Sequence, residues 1–124
     1  MFRINRRIDY AVRVLLALAK LPAGTRRLTR EVQDEMLIPP AFLQRIIADL
    51  SKTGLLETYP GPNGGLKLGR PAGEITLGNI WEAIEGPLCI SNCVLDRHSC
   101  PLGSQCPVRG KWSRLQALIL QELQ

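Results

Sequence analysis

The order of the local segments between residues 8 and 68 constrains the fold more than any other feature of the sequence. Helical spacing of apolar residues predicts helices over residues 8–20 and 30–36 and a third from residue 40 to Gly54, and short apolar stretches predict strands over 55–59 and 66–68. Between the strands lies a turn rich in glycine and proline, in which Asn63 and Gly64 suit a tight hairpin. Three helices followed by a hairpin are typical of a winged helix-turn-helix, so we predict a mainly α chain with a small β-hairpin.

Residues that favour the ends of helices indicate where the second and third helices begin and end. Thr29 is a plausible N-cap for the second helix, and Pro40 is tolerated in the first turn of the third. The third helix presents an i, i+3, i+4, i+7 apolar face and ends at Gly54. That face consists of Leu43, Ile46, Ile47 and Leu50.

The second half of the chain has a different character. Thr76 can cap a fourth helix that ends at Gly86, and residues 87–110 then contain all four cysteines with little periodicity. A last helix over residues 111–123 has so many apolar residues that it needs a partner, within the chain or in a second copy. We therefore predict one compact domain with two regions, a winged-helix region over residues 1–72 and a cysteine-containing loop with flanking helices over 73–124.

Charge is concentrated at the amino-terminal end. The chain of 124 residues carries a net charge of +5, but residues 1–30 hold eight basic residues and one acidic residue, so the other 94 sum to −2. Such a basic segment indicates a surface that binds a polyanion, with DNA favoured over membrane phosphates. Arg13 interrupts the first apolar stretch, which has the single stripe of a folded helix. We expect a cytoplasmic protein without a secretion signal or a membrane span.

The third helix is the predicted DNA-reading element. Its amino-terminal residues enter the major groove in this fold, where Gln pairs with adenine, Arg with guanine and an Ala methyl contacts thymine. The alternative is that Gln44 and Arg45 only solvate an exposed face. The candidate base contacts are Pro39, Pro40, Ala41, Gln44 and Arg45, and the candidate phosphate contacts are Arg3, Arg6, Arg7, Arg26, Arg27, Arg30, Lys67 and Arg70.

The cysteines indicate a metal or redox function. Cys93, Cys100 and Cys106 are separated by six and five residues, and Cys89 lies upstream. Structural zinc sites usually use closely paired cysteines, whereas thiols dispersed on one loop suit a larger object such as an iron–sulfur cluster. Zinc binding, a thiol switch or unligated cysteines are the alternatives.

Taken together, these motifs resemble the IscR/NsrR/RirA-type winged-helix transcription regulators. Residues 38–55 are similar to the recognition helix of that family, residues 61–69 to its wing and 75–85 to the helix that follows. The resemblance implies a homodimer on a near-palindromic double-stranded operator, with the carboxy-terminal helices packed together. It also implies one iron–sulfur cluster per subunit, held by Cys93, Cys100 and Cys106, although the first cysteine gap is one residue longer than usual.

The fourth cluster ligand separates branches of this family. Arg109 stands where the IscR branch has a histidine, whereas Asp9 matches the aspartate that the NsrR branch supplies from the partner subunit. A carboxylate in the first helical turn is also favoured by the helix dipole alone. His98 and Cys89 are the other possible ligands. The NsrR-like set favours a 4Fe–4S cluster over 2Fe–2S, with a weak ligand that a small-molecule signal displaces.

The resulting expectation is a regulator whose operator affinity responds to nitric oxide, oxygen or redox state, or iron supply. The alternative is a winged-helix regulator with structural zinc or a thiol switch and no cluster. An enzyme is not expected, because the chain has one histidine, no convincing nucleophile–base pair and no phosphate-binding loop.

Pro60 also replaces a wing residue that is basic in several relatives.

Overall fold

The structure, a computed structural model, describes residues 3–62, 64–91, 94, 101–102 and 105–124. Its described helices and strands confirm a mainly α chain with a small hairpin. The helices are α1 (Arg6–Ala19), α2 (Thr29–Met36), α3 (Pro40–Lys52), α4 (Leu77–Glu85) and α5 (Arg109–Glu122), and the antiparallel strands are β1 (Leu56–Tyr59) and β2 (Gly65–Leu68).

One aliphatic core joins α1 to α4 and the hairpin. Of the predicted buried face of α3, Leu43, Ile46 and Leu50 are completely buried, whereas Ile47 is half-buried at the edge of the core. Ile80 and Ile84 of α4 belong to the same core. Helix α4 therefore packs with the winged-helix part, although the sequence-based division at residue 72 assigns it to the second half.

The two strands form the wing, and the segment around Arg27 lies alongside β2. Leu56 pairs with Leu68 and Glu57 with Lys67, while Arg27 forms an isolated bridge to Leu66 through hydrogen bonds of 2.9 and 2.7 Å. Gly65 has φ +131°, and a Cβ there would lie 2.2 Å from the carbonyl oxygen of Arg27. Glycine is thus required for this close approach. The predicted turn residue Asn63 lies outside the described residues.

Helix α2 ends at Met36 as predicted but begins one residue earlier than predicted, at Thr29. Leu28 is its N-cap instead of Thr29, because the carboxylate of Glu31 accepts a hydrogen bond of 3.2 Å from the Leu28 N–H. At the other end Leu37 adopts a left-handed conformation with φ 55° and is 79% exposed. The Thr76 cap of α4 is confirmed by reciprocal hydrogen bonds with Asn79 of 3.0 and 2.9 Å.

Helix α5 has no residue that its own chain buries. The Leu123 carbonyl accepts a hydrogen bond of 2.7 Å from the Gly78 N–H, and the Gln116 side chain accepts one of 3.1 Å from Ile90. Its apolar side chains Trp112, Leu115 and Leu118 are 41%, 44% and 63% exposed. Helix α5 is therefore held mainly at one edge and its end, with an apolar face open.

None of the helices in the described ranges combines the length and apolar character needed to cross a bilayer.

Candidate nucleic-acid interface and cysteine loop

Helix α3 presents a polar surface opposite its buried face. The predicted base-contacting residues Pro39, Pro40, Ala41, Gln44 and Arg45 are all exposed. Burial of the opposite face fixes the helix on the core, and the Phe42 ring packs edge-on against Tyr10 at 5.3 Å. The exposed surface is therefore held in a fixed position on the core.

Arg7 stands out among the predicted phosphate contacts because the fold holds its guanidinium. Nη2 lies 3.3 Å from Asp49 of α3 and 3.2 Å from the Ile84 carbonyl, and Nη1 lies 3.7 Å from Glu85. One side chain thus connects α1, α3 and the end of α4. Arg7 also borders a cleft of about 440 Å³ together with Ala41, Phe42 and Arg45, next to the exposed surface of α3.

Arg27 is engaged in a second internal ion network. Its guanidinium contacts Glu35 and lies 3.6 Å from Glu31, and Lys20 also contacts Glu35. The hydrogen bond to Glu35 raises the pKa of Arg27, and those from Lys20 and Arg27 lower the pKa of Glu35. Arg27 therefore joins α2 to the wing.

The remaining predicted phosphate contacts differ in their surroundings. Arg3, Arg6, Arg26 and Arg30 are exposed, whereas Lys67 and Arg70 are partly buried at the wing. Lys67 lies 3.5 Å from Glu57, and Arg70 donates to the Thr53 carbonyl at 3.5 Å. Hydrogen bonding to Tyr59, with the charge of Glu57, raises the pKa of Lys67.

Tyr59 is a functional candidate that the sequence-based analysis missed. Its ring lies under the guanidinium of Arg26, with Cζ 4.4 Å from the ring centroid, and Lys67 Nζ lies 5.9 Å from the same centroid. Strand alternation places Glu57 and Tyr59 on one face, which is a signal that the sequence contains.

The cysteine loop is described at both of its ends. Cys89 donates a hydrogen bond from Sγ to the Ser91 carbonyl at 2.9 Å, and Cys106 lies three residues before α5. The predicted ligands Cys93 and Cys100 and the alternative His98 lie outside the described residues. Within the described ranges, no three side chains of the metal-binding types come together.

Asp9 occupies the first turn of α1, as predicted. Its Oδ2 lies 2.9 Å from Nη2 of Arg13, and its side chain is 52% exposed. Arg13 also donates to the Met36 carbonyl at 3.2 Å and lies over the Tyr10 ring. Asp9 is therefore an accessible carboxylate with an arginine partner inside its own chain.

The chain has an exposed polar face on α3, a hairpin bridged to Arg27 beside Gly65, and a basic amino-terminal quarter. Together these features define a winged-helix DNA-binding transcription regulator. The chain belongs to the Rrf2 family, whose sequence model is described as an iron-dependent transcriptional regulator and matches residues 4–124. This confirms both the predicted type of regulator and the expectation that the chain is not an enzyme.

Solved structures confirm the fold. CymR (YrzC), the global cysteine regulator of B. subtilis, has a TM-score of 0.77 at 23% identity, over 99% of this chain and 90% of that chain. IscR of T. potens has a TM-score of 0.75 at 20% identity, over 98% and 80%. CymR of Staphylococcus aureus has a TM-score of 0.70 at 24% identity, over 96% and 88%.

Proposed function

We propose that this regulator acts on a specific operator in the cytoplasm and that an iron–sulfur cluster on the cysteine loop controls its operator affinity. The exposed surface of α3, with Gln44 and Arg45 opposite a completely buried face, is the observation that carries the DNA-binding part. Both side chains have the geometry for bidentate contacts with base edges. Pro39, Pro40 and Ala41 complete the surface that faces the major groove.

We assign phosphate contacts to basic side chains that are exposed or that lie at the wing. Arg7 and Arg27 have carboxylate partners inside the chain, so we assign them mainly to the framework. Exposed basic residues supply the sequence-independent part of the affinity. The exposed ones are Arg3, Arg6, Arg26 and Arg30, and we assign the half-buried Lys67 and Arg70 at the wing to the same role, although Lys67 also contacts Glu57.

A homodimer follows from the open face of α5. Trp112, Leu115 and Leu118 form an apolar surface that one chain leaves exposed. Packing of two such helices would bury these side chains and place two copies of α3 on the half-sites of a near-palindromic operator.

The donor set of the cysteine loop suits an iron–sulfur cluster. Cys93, Cys100 and Cys106 would supply three thiolates, and the partner's Asp9 a fourth, weaker ligand. Exposure of the Asp9 carboxylate supports this role, because the group can reach a second chain once it leaves Arg13. Cys89 is less suited than Asp9, since its thiol donates to the Ser91 carbonyl, and His98 is the other alternative. Three cysteines with Asp9 favour 4Fe–4S over 2Fe–2S.

When bound, the cluster supplies a centre that reacts with nitric oxide, oxygen or reductants, or that is lost when iron is scarce. The chain provides connections from the loop to both functional surfaces. Cys106 leads directly into α5, while the loop begins just after Ile84 and Glu85, which contact Arg7. Arg7 in turn contacts Asp49 on α3. Gain or loss of the cluster would change the loop and, through these contacts, would favour one position of α3 over another. Such a shift between two positions of α3 is required for a change in operator affinity.

A thiol switch or a structural zinc site is the second candidate. It is favoured by Cys89 and Cys106, which are both half-exposed free thiols in the described part of the loop. Such thiols can be oxidised reversibly or can bind zinc.

Metal and sulfide analysis of protein purified without oxygen tests the proposal. We expect iron and acid-labile sulfide in equal, stoichiometric amounts in the wild type and in Cys89→Ala, and loss of both in Cys100→Ala. An intact cluster in Cys100→Ala would overturn the three-cysteine assignment. Zinc alone, or no metal, would transfer the sensing role to the second candidate.

A further inference from the structure

The outer side of the wing carries a cluster of two cations around one aromatic ring, which we call the wing cluster: Arg26, Glu57, Tyr59 and Lys67. Arg26 Cζ lies 4.4 Å from the centroid of Tyr59, and Lys67 Nζ lies 5.9 Å from it. The Tyr59 hydroxyl donates to Glu57 at 2.9 Å, and Glu57 lies 3.5 Å from Lys67. The ring thus contacts one cation through its face and orients the carboxylate that holds the other.

The backbone fixes the position of the wing cluster. Arg27 is bridged to Leu66 in both directions, so the residue before it is held beside β2. Gly65, the strand partner of Tyr59, has no side chain to separate the two segments. Arg26 therefore reaches the Tyr59 ring from a fixed start on the neighbouring segment.

The charges of the wing cluster are balanced unequally. Lys67 has Glu57 as its counter-ion, whereas no carboxylate in the described ranges pairs with exposed Arg26. The adjacent Arg27, by contrast, is paired with Glu31 and Glu35. Arg26 thus keeps its full positive charge while the ring restricts its motion, which lowers the entropy lost when an anion binds.

We propose that Tyr59 is a positioning residue that holds Arg26, with Lys67 beside it, against the phosphate backbone of operator DNA next to the wing. This inference rests on the proposed function, because it requires the winged-helix surface to bind duplex DNA. Pro60 has no side-chain donor at the adjoining turn, so the wing cluster provides the cationic contact there. Phosphate, and not a base edge, is the expected partner, since a backbone contact needs only a placed cation.

The salt dependence of DNA binding tests the role of Arg26. Wild type and Arg26→Gln would be titrated with an operator duplex and an unrelated duplex of equal length between about 50 and 200 mM salt. Arg26→Gln removes one phosphate contact from each subunit, which should reduce the slope of log K against log salt by about 0.9 per contact, or about 1.8 per bound dimer, on both duplexes. Arg26→Lys should retain the slope with weaker binding, because it keeps the charge and loses the planar stacking.

A double-mutant cycle tests the role of Tyr59. Tyr59→Leu should weaken binding about two- to tenfold, the range expected when a contacting side chain must be ordered on binding. It should cause little further loss in the Arg26→Gln background. Tyr59→Phe retains the ring face and serves as the matched control, with at most a twofold change. Thermal unfolding of each variant checks that the wing is folded.

Two outcomes would overturn the inference while leaving DNA binding by the chain intact. One is an unchanged salt slope in Arg26→Gln, and the other is an equal loss from Tyr59→Leu in both backgrounds. If wild type binds neither duplex, both the proposed function and this inference fail. If Tyr59→Leu does not fold, the Arg26→Gln and Arg26→Lys slopes still decide whether Arg26 contacts phosphate.

Discussion

The guanidinium of Arg7 on α1 lies 3.3 Å from the carboxylate of Asp49 on α3, although the two residues are 42 positions apart in the sequence. The same guanidinium donates a hydrogen bond to the Ile84 carbonyl and pairs with Glu85 at the end of α4, just before the cysteine loop. The Arg7 side chain therefore contacts both α3, the proposed recognition helix, and the end of α4 that precedes the cysteine loop.

Arg7→Gln should lower the free energy of unfolding by about 1–2 kcal/mol, because it removes a hydrogen bond to a backbone carbonyl and a half-exposed ion pair. Urea denaturation measures the loss. Arg30→Gln, at an exposed position on α2, is the control and should change stability by less than about 0.5 kcal/mol. Equal effects of the two substitutions would show that Arg7 does not connect the helices energetically.

Arg45→Ala should cost about 1–3 kcal/mol of binding free energy at one base position if Arg45 makes a bidentate contact with guanine. Binding to a set of duplexes with single base changes measures this: the variant should lose discrimination only at one position of each half-site. Lys52→Ala, at the far end of α3, should retain discrimination at every position. Uniform weakening on all duplexes would instead assign Arg45 to phosphate.

We expect Glu35 to stabilise the folded chain in a way that is lost at acidic pH. Hydrogen bonds from Lys20 and Arg27 lower its pKa, so its contribution is fully present above the unfolded value of about 4.3 and is lost as pH falls through the lower, folded value. Glu35→Gln should be less stable than wild type near neutral pH, with the difference shrinking towards pH 3. Thermal unfolding across this range checks the sign, and Lys20→Met should be intermediate. Parallel curves for wild type and Glu35→Gln would contradict it.

Gly65→Ala should destabilise the fold by about 2 kcal/mol or more, because the added Cβ meets the Arg27 carbonyl at 2.2 Å and φ is +131°. Gly73→Ala is the matched control, since nothing lies within 4 Å of a Cβ there. Chemical denaturation of both variants provides the comparison. Equal stability would mean that the bridge between Arg27 and Leu66 can separate at little cost.

Leu37→Gly should leave stability unchanged or raise it by up to about 1 kcal/mol. The substitution relieves a left-handed conformation at a side chain that is 79% exposed and contributes little burial. Leu16→Gly, at an exposed position inside α1, should instead cost about 1 kcal/mol. A marked loss of stability in Leu37→Gly would show that Leu37 makes contacts that outweigh its backbone strain.

The fold was predictable wherever the signal is local. Pro40 marks the start of α3, Thr76 caps α4, and apolar spacing gives the buried face of α3. Helix α1 begins at Arg6 and not at residue 8, because Asn5 accepts a hydrogen bond of 2.9 Å from the Ile8 N–H. Asn5 is a good N-cap type, so this start was also within reach of the sequence.

The division of the basic residues into framework and interface was not predictable in the same way. From the sequence alone, Arg7 and Arg26 are equally good candidates for phosphate contacts. In the structure, however, Arg7 pairs with the Asp49 carboxylate, whereas Arg26 lies over the Tyr59 ring. Both partners are distant along the chain and become neighbours only through packing of the helices and pairing of the wing. Arg27, Glu31 and Glu35 are four residues apart in turn, so this ion network was within reach of the sequence.

The poor coverage of α5 has a consequence for local unfolding. An isolated helix of 14 residues is marginal in water, and this one has no residue that its own chain buries. Opening of α5 should therefore cost far less free energy than opening of α3, and its amide protons should exchange early in the uncovered chain. Slower exchange confined to α5 would then report directly on whatever surface comes to cover it.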